Sequence, residues 1–191
     1  MTLATAANRL PVKPVRLPAD LRGIKPGELP GYLLKPIRPY GRLHPLAAQA
    51  WEALRKAAHA DGIRPFKPAS FSDTYRSLQV QRAGFLARYT TAPIDTTSVR
   101  IYQGVKYYLK PGYAPMATPG TSLHNIALAV DVFEASGERL EWMLANCDDY
   151  GFCWEMQSEP WHIRYYTGEK VPLKVQRYEE LHADRDNSGP D

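Results

Sequence analysis

The sequence predicts an α+β domain, a small and mostly antiparallel sheet with flanking helices. Two observations carry this. Apolar residues recur with helical spacing in three stretches and with strand-like character in three others. The two kinds mix without the regular strand–helix–strand alternation of a parallel sheet. With 191 residues, 44% hydrophobic and 23% charged, the chain is long enough for one core and ordinary in composition. It contains no internal repeat.

Residues 1–42 form a proline-rich arm, with Pro11, Pro14, Pro18, Pro26, Pro30, Pro36 and Pro39. Proline removes a backbone donor and fixes φ, so neither a long helix nor a central strand fits. The arm either lies extended on the domain or forms a partly ordered leader. The domain proper is expected over residues 43–168. A first helix begins near His44-Pro45, with proline in its first turn. Leu43, Ala47, Ala50, Leu54 and Ala57 share a face, and Gly62 is a candidate cap. An extended stretch near residues 68–74 leads to a second helix from about Ser77, striped by Leu78, Phe85, Leu86 and Tyr89. Residues 98–110, rich in β-branched and aromatic types around Gly104, read as a β-hairpin. A Pro/Gly loop then delivers the chain to His124, and residues 127–133 read as a strand. The third helix carries Leu140, Met143, Leu144 and Cys147 at helical spacing and stops at Gly151. Residues 161–166 form the last strand. Residues 169–191 are expected to be a partly disordered tail.

The net charge of +4 suits either an ordinary solvated surface or attraction to an anionic partner. No apolar run approaches the roughly 20 residues needed to span a bilayer. The first residues lack the basic-then-apolar pattern of a secretory signal, so the protein is expected to be made in the cytoplasm and to need other means of reaching a substrate outside. Cys147 and Cys153 lack metal-ligand spacing and read as buried, reduced thiols.

Three clusters could carry chemistry. On a strand, Ala127, Ala129 and Asp131 share one face while Leu128, Val130 and Val132 form a core face. Small neighbours leave space beside Asp131, and His124 stands nearby in a chain with only 5 histidines. Asp131 could equally end the strand or pair with an arginine. The second cluster is Glu159-Pro160-Trp161-His162, with a carboxylate three residues before an imidazole. Two His and one Asp would leave a fourth zinc position open, as a catalytic site requires. The third is Tyr75-Arg76-Ser77 with Gln81. Ser77 could cap the helix, and Arg76 offers a planar fork for a carboxylate or oxyanion.

Together these segments resemble the zinc D-alanyl-D-alanine carboxypeptidases, a family that includes D-Ala-D-Ala dipeptidases and phage endolysins cutting the L-Ala–D-Glu bond. Ser122-Leu-His124-Asn-Ile-Ala127-Leu-Ala129-Val-Asp131 is similar to S-x-H-x-x-G-x-A-x-D, Glu159-Pro-Trp161-His162 to E-x-W-H, and Tyr75-Arg76-Ser77…Gln81 to Y-R-S-x-x-x-Q. The segments occur in the family's order and cover about residues 66–166. The resemblance implies a hedgehog/DD-peptidase-like fold, Zn2+ held by His124, Asp131 and His162, Glu159 as base, and Arg76 steadying the substrate carbonyl or carboxylate. Ser122, Gln81, Tyr75 and Trp161 would lie on the substrate side. It further implies action on peptidoglycan stem peptides, of either carboxypeptidase or endopeptidase type; the lack of a signal pattern suits a phage lysin better than an exported bacterial wall enzyme, and a monomer is expected. No nucleic-acid partner and no membrane insertion are expected. The family glycine is replaced by Ala127, which would be strained if that position needs a positive φ. A non-catalytic wall-peptide-binding module is the alternative, and a basic nucleic-acid-binding protein a more distant one.

Overall fold

The computed structural model describes residues 9–186, with side chains through His182. The remainder of the arm and of the tail lies outside the described residues. The chain forms β1 (Lys35–Pro36), β2 (Arg42–Leu43), α1 (Pro45–Ala60), α2 (Leu78–Arg88), β3 (Tyr89–Thr90), β4 (Val99–Tyr102), β5 (Val105–Leu109), β6 (Ala129–Asp131), α3 (Gly137–Asn146), β7 (Phe152–Trp154), β8 (His162–Tyr165) and α4 (Leu173–Asp186). All strand pairs in its three small sheets are antiparallel, so the α+β class holds.

The sheet that matters for function has the order β6-β8-β7. Directly opposed residues share a face, so Val130, Ile163 and Trp154 form one row pointing into the core. The rows to either side point the other way. One runs Ala129, Arg164, Cys153; the other begins Asp131, His162. Against the core face pack Trp51 and Leu54 of α1, with Trp51 edge-on to Phe152 and 5.4 Å from the Phe66 ring.

The arm lies on the domain and adds to its core. Leu10, Leu21, Leu29, Leu33, Leu34 and Ile37 are buried in the same cluster as Trp51 and Ile163. Its first part runs parallel to β7, bridging Val12 to Trp154, and the Arg16 N–H donates to the Tyr166 carbonyl. An otherwise bare sheet edge is thereby covered.

Three elements differ from the sequence expectation. The strand expected over residues 127–133 is only Ala129–Asp131, because Ala127 closes a 3-10 turn, Leu123–Ile126, with φ of 58°. The extended stretch before α2 becomes a 3-10 turn, Phe71–Asp73, once Pro68 has bridged Val132. The region expected as a tail forms α4 over Leu173–Asp186, held by Val175 in the core and Tyr178 against it. Two apolar contacts one turn apart are too sparse to stand out from a polar sequence. The hairpin is as expected: Gln103 and Gly104 both take positive φ, as a tight two-residue turn demands. It packs on α2 through Tyr102 and Tyr107 against Phe85, forming a separate small cluster.

Candidate active site

The β6–β8 register sets Asp131 directly opposite His162. The Leu123–Ile126 turn brings in His124, with the Ser122 hydroxyl accepting from the His124 N–H at 3.3 Å. One ligand atom each from His124, Asp131 and His162 lies within 4.8 Å of the others. His162 Nδ1 is 2.7 Å from Asp131 Oδ1, and His124 Nε2 is 3.2 Å from Asp131 Oδ2. The far side of each ring is also fixed. His124 Nδ1 donates to the Thr74 carbonyl at 2.8 Å, which leaves Nε2 as the nitrogen available to a metal. His162 Nε2 donates to Glu155 Oε2 at 2.9 Å. Two oriented imidazoles and a carboxylate, grouped this closely, are the donor set that zinc fits in an open catalytic site.

The electrostatics follow from this crowding. Burial alone would raise the Asp131 carboxyl pKa, but hydrogen bonds from the two imidazoles overcome it and hold the group well below the usual carboxylate range. Desolvation alone would lower His162. Its bonds to Asp131 and Glu155 win and push it up to about 9. Glu155 is lowered chiefly by its bond to His162.

Arg76 is tied to the His124 turn by backbone. Its N–H donates to the His124 carbonyl at 3.0 Å, and Asn125 Nδ2 donates to the Arg76 carbonyl at 2.7 Å. Its guanidinium is anchored by Nε on the Ser72 carbonyl and Nη1 on Gln81 Oε1, with Asp73 at 3.7 Å. Burial pulls its pKa down while the charges of Asp131 and Asp73 oppose that, so a rigid cation lies within electrostatic reach of Asp131.

Glu159 is half-buried at the mouth of β8. Its carbonyl accepts from the His162 N–H at 3.1 Å, closing a turn with Pro160 at the position proline favours. Trp161 is 44% exposed beside it, available to a ligand. Two residues placed on the substrate side by the resemblance serve elsewhere. Tyr75 is buried, and its hydroxyl donates to the Gly27 carbonyl and accepts from the Leu29 N–H, so it anchors the arm rather than a substrate. Gln81 is wholly buried between Arg76 and the Ala117 carbonyl, where it holds the arginine. Ser122 caps the histidine turn.

Sequence reading missed Thr74 and Glu155. Thr74 acts through its carbonyl, which no side-chain pattern reveals. Glu155 is placed by strand pairing: β7 meets β8 with Trp154 opposite Ile163, so the next residue falls beside His162, and the wholly buried β7 carries no alternation that would have signalled it.

A model of the VanY family, D-alanyl-D-alanine carboxypeptidase, matches residues 41–168. Among solved structures, the vancomycin-resistance D,D-pentapeptidase VanY in complex with Zn(II) aligns at 24% identity and TM-score 0.49, covering 79% of this chain and 88% of that one. VanYB in complex with D-alanine-D-alanine aligns at 23% identity and TM-score 0.49, covering 82% and 89%. The L,D-carboxypeptidase LdcB aligns at 25% identity and TM-score 0.43, covering 73% and 70%. No curated protein matches the chain.

Proposed function

The chain belongs to the D-alanyl-D-alanine carboxypeptidase family, and from that premise we propose that it is a zinc peptidase of peptidoglycan stem peptides, with His124, Asp131 and His162 as ligands and Glu159 as general base. The observation that carries the reading is the convergence of these three donors, from distant parts of the chain, with the Arg76 cation within electrostatic reach of Asp131. Bound zinc supplies Lewis-acid polarisation and lowers the pKa of a coordinated water. Glu159 takes a proton from the attacking water and later returns it to the leaving amine. Arg76, held rigid by Ser72 and Gln81, offsets the negative charge that develops on the scissile carbonyl. Exposed Trp161 offers an apolar wall to the peptide.

Within this reading the family description favours release of a terminal D-Ala over cleavage of the L-Ala–D-Glu bond. We extend the proposal to a wall lysin, bacterial or phage, for which a net charge of +4 suits approach to anionic wall polymers. The test is digestion of purified sacculi followed by mass spectrometry. Loss of one alanine from pentapeptide stems, abolished by a chelator and restored by zinc, is the expected result. Fragments ending between L-Ala and D-Glu would move the activity to the endopeptidase type. Intact stems would overturn the enzymatic reading.

A further inference from the structure

His162 lies between two carboxylates on neighbouring strands, and only one of them belongs to the ligand set. Asp131 on β6 meets Nδ1, while Glu155, just beyond β7, accepts from Nε2 at 2.9 Å. Continuing the β7–β8 register past Trp154 opposite Ile163 puts Glu155 opposite His162, so the contact is built into strand pairing. Glu155 is itself held. Arg164, two residues along β8 on the same face, reaches its Oε1 with Nη1 at 3.4 Å. The same guanidinium donates through Nη2 to the Lys13 carbonyl of the arm at 2.7 Å. A continuous line of contacts thus runs from the arm through Arg164 and Glu155 to the back of a candidate metal ligand.

We infer that Glu155 is a positioning residue for the metal, fixing His162 as the tautomer that keeps its proton on Nε2 and turns the Nδ1 lone pair toward the ion, with Arg164 and the Lys13 carbonyl holding that carboxylate in place. The inference rests on the metal site proposed above. A carboxylate behind a ligating imidazole orients the ring and makes it a better donor, and losing such a partner typically costs 10–100-fold in metal affinity. Glu155 touches neither substrate nor ion in this role, which separates it from Glu159.

The experiment is zinc titration of the full-length protein against a chromophoric chelator, for wild type, Glu155→Gln and the distant surface control Glu141→Gln. The expected result is stoichiometric zinc in wild type and control, about 10–100-fold weaker binding in Glu155→Gln, and recovery of most of that variant's turnover at saturating zinc. An altered visible spectrum of the cobalt-substituted variant would show that the ligand field itself has changed, which a remote structural defect would not produce. Wild-type-like affinity in Glu155→Gln overturns the inference and leaves the metal site standing. Absence of zinc from wild type overturns the metal site itself. Turnover still lost at saturating zinc would make Glu155 a proton-transfer group instead and also overturn the inference. Should Glu155→Gln not fold, Glu155→Asp keeps the charge beside Arg164 but shortens the reach to Nε2, and unweakened zinc binding there counts against the inference equally.

Discussion

The Asp131 carboxylate lies between two imidazoles, and this placement dictates how the metal-free protein responds to pH. His162 is pushed up to about 9 from an ordinary value near 6.5, so its stabilising contribution is complete below about pH 6.5 and fades as pH rises through about 9. Asp131 is depressed, so its contribution is present above about pH 3.9 and is lost in acid. Melting of chelator-treated protein should therefore fall between pH 6.5 and 10, and zinc should remove much of that fall by taking the place of the His162 proton. A flat alkaline profile without metal would count against the pairing. Glu159→Ala should keep zinc and lose about 10²–10⁴-fold in turnover, while Arg76→Ala should lose about 10²–10³-fold with the fold intact; steady-state kinetics beside metal analysis checks both. The three candidate ligands, Glu159 and Arg76 stand out in the sequence because each sits in a short segment of recognisable order. Tyr75 instead anchors the arm through its hydroxyl on Gly27 and Leu29, a long-range contact that local spacing does not reveal.

At the level of single elements, the turn that leads into β7 imposes a strict demand on backbone. Gly151, between α3 and β7, has φ of 81°, and a Cβ there would meet Tyr165 Cε2 at 2.9 Å and Pro172 Cγ at 3.0 Å. Gly151→Ala should cost about 1–3 kcal/mol in denaturant unfolding; an unchanged midpoint would show that the turn relaxes. Ser77 caps α2 by accepting from the Val80 N–H, so Ser77→Ala should cost about 1 kcal/mol. Helices with dense apolar stripes and the hairpin with its glycine turn were readable in advance. The strand β7 was not, since three wholly buried residues show no alternation. Ala127 answers the question its sequence raised: with φ of 58° it occupies the left-handed region, where glycine would be unstrained.

Taken as a whole, the molecule does not divide at residue 42. Six buried apolar residues of the arm share the core of α1 and β8, and burying each contributes roughly 1.5–3 kcal/mol, comparable in sum with the entire net stability of about 5–15 kcal/mol for a domain. Removing residues 1–42 should leave a chain without cooperative thermal unfolding; a folded, zinc-binding remainder would show the arm to be dispensable. Composition could not settle this, because proline excludes helix without saying what an extended segment rests on. The arm also meets the chain's far end: Leu10 exchanges two hydrogen bonds with the Gln157 side chain, and Arg16 is joined to Tyr166. During synthesis, then, the stretch around Leu10 has no partner at Gln157 until the chain has grown by a further 147 residues. Contacts of such long sequence separation make for slow folding, so docking of the arm on the sheet edge should be a late step in folding.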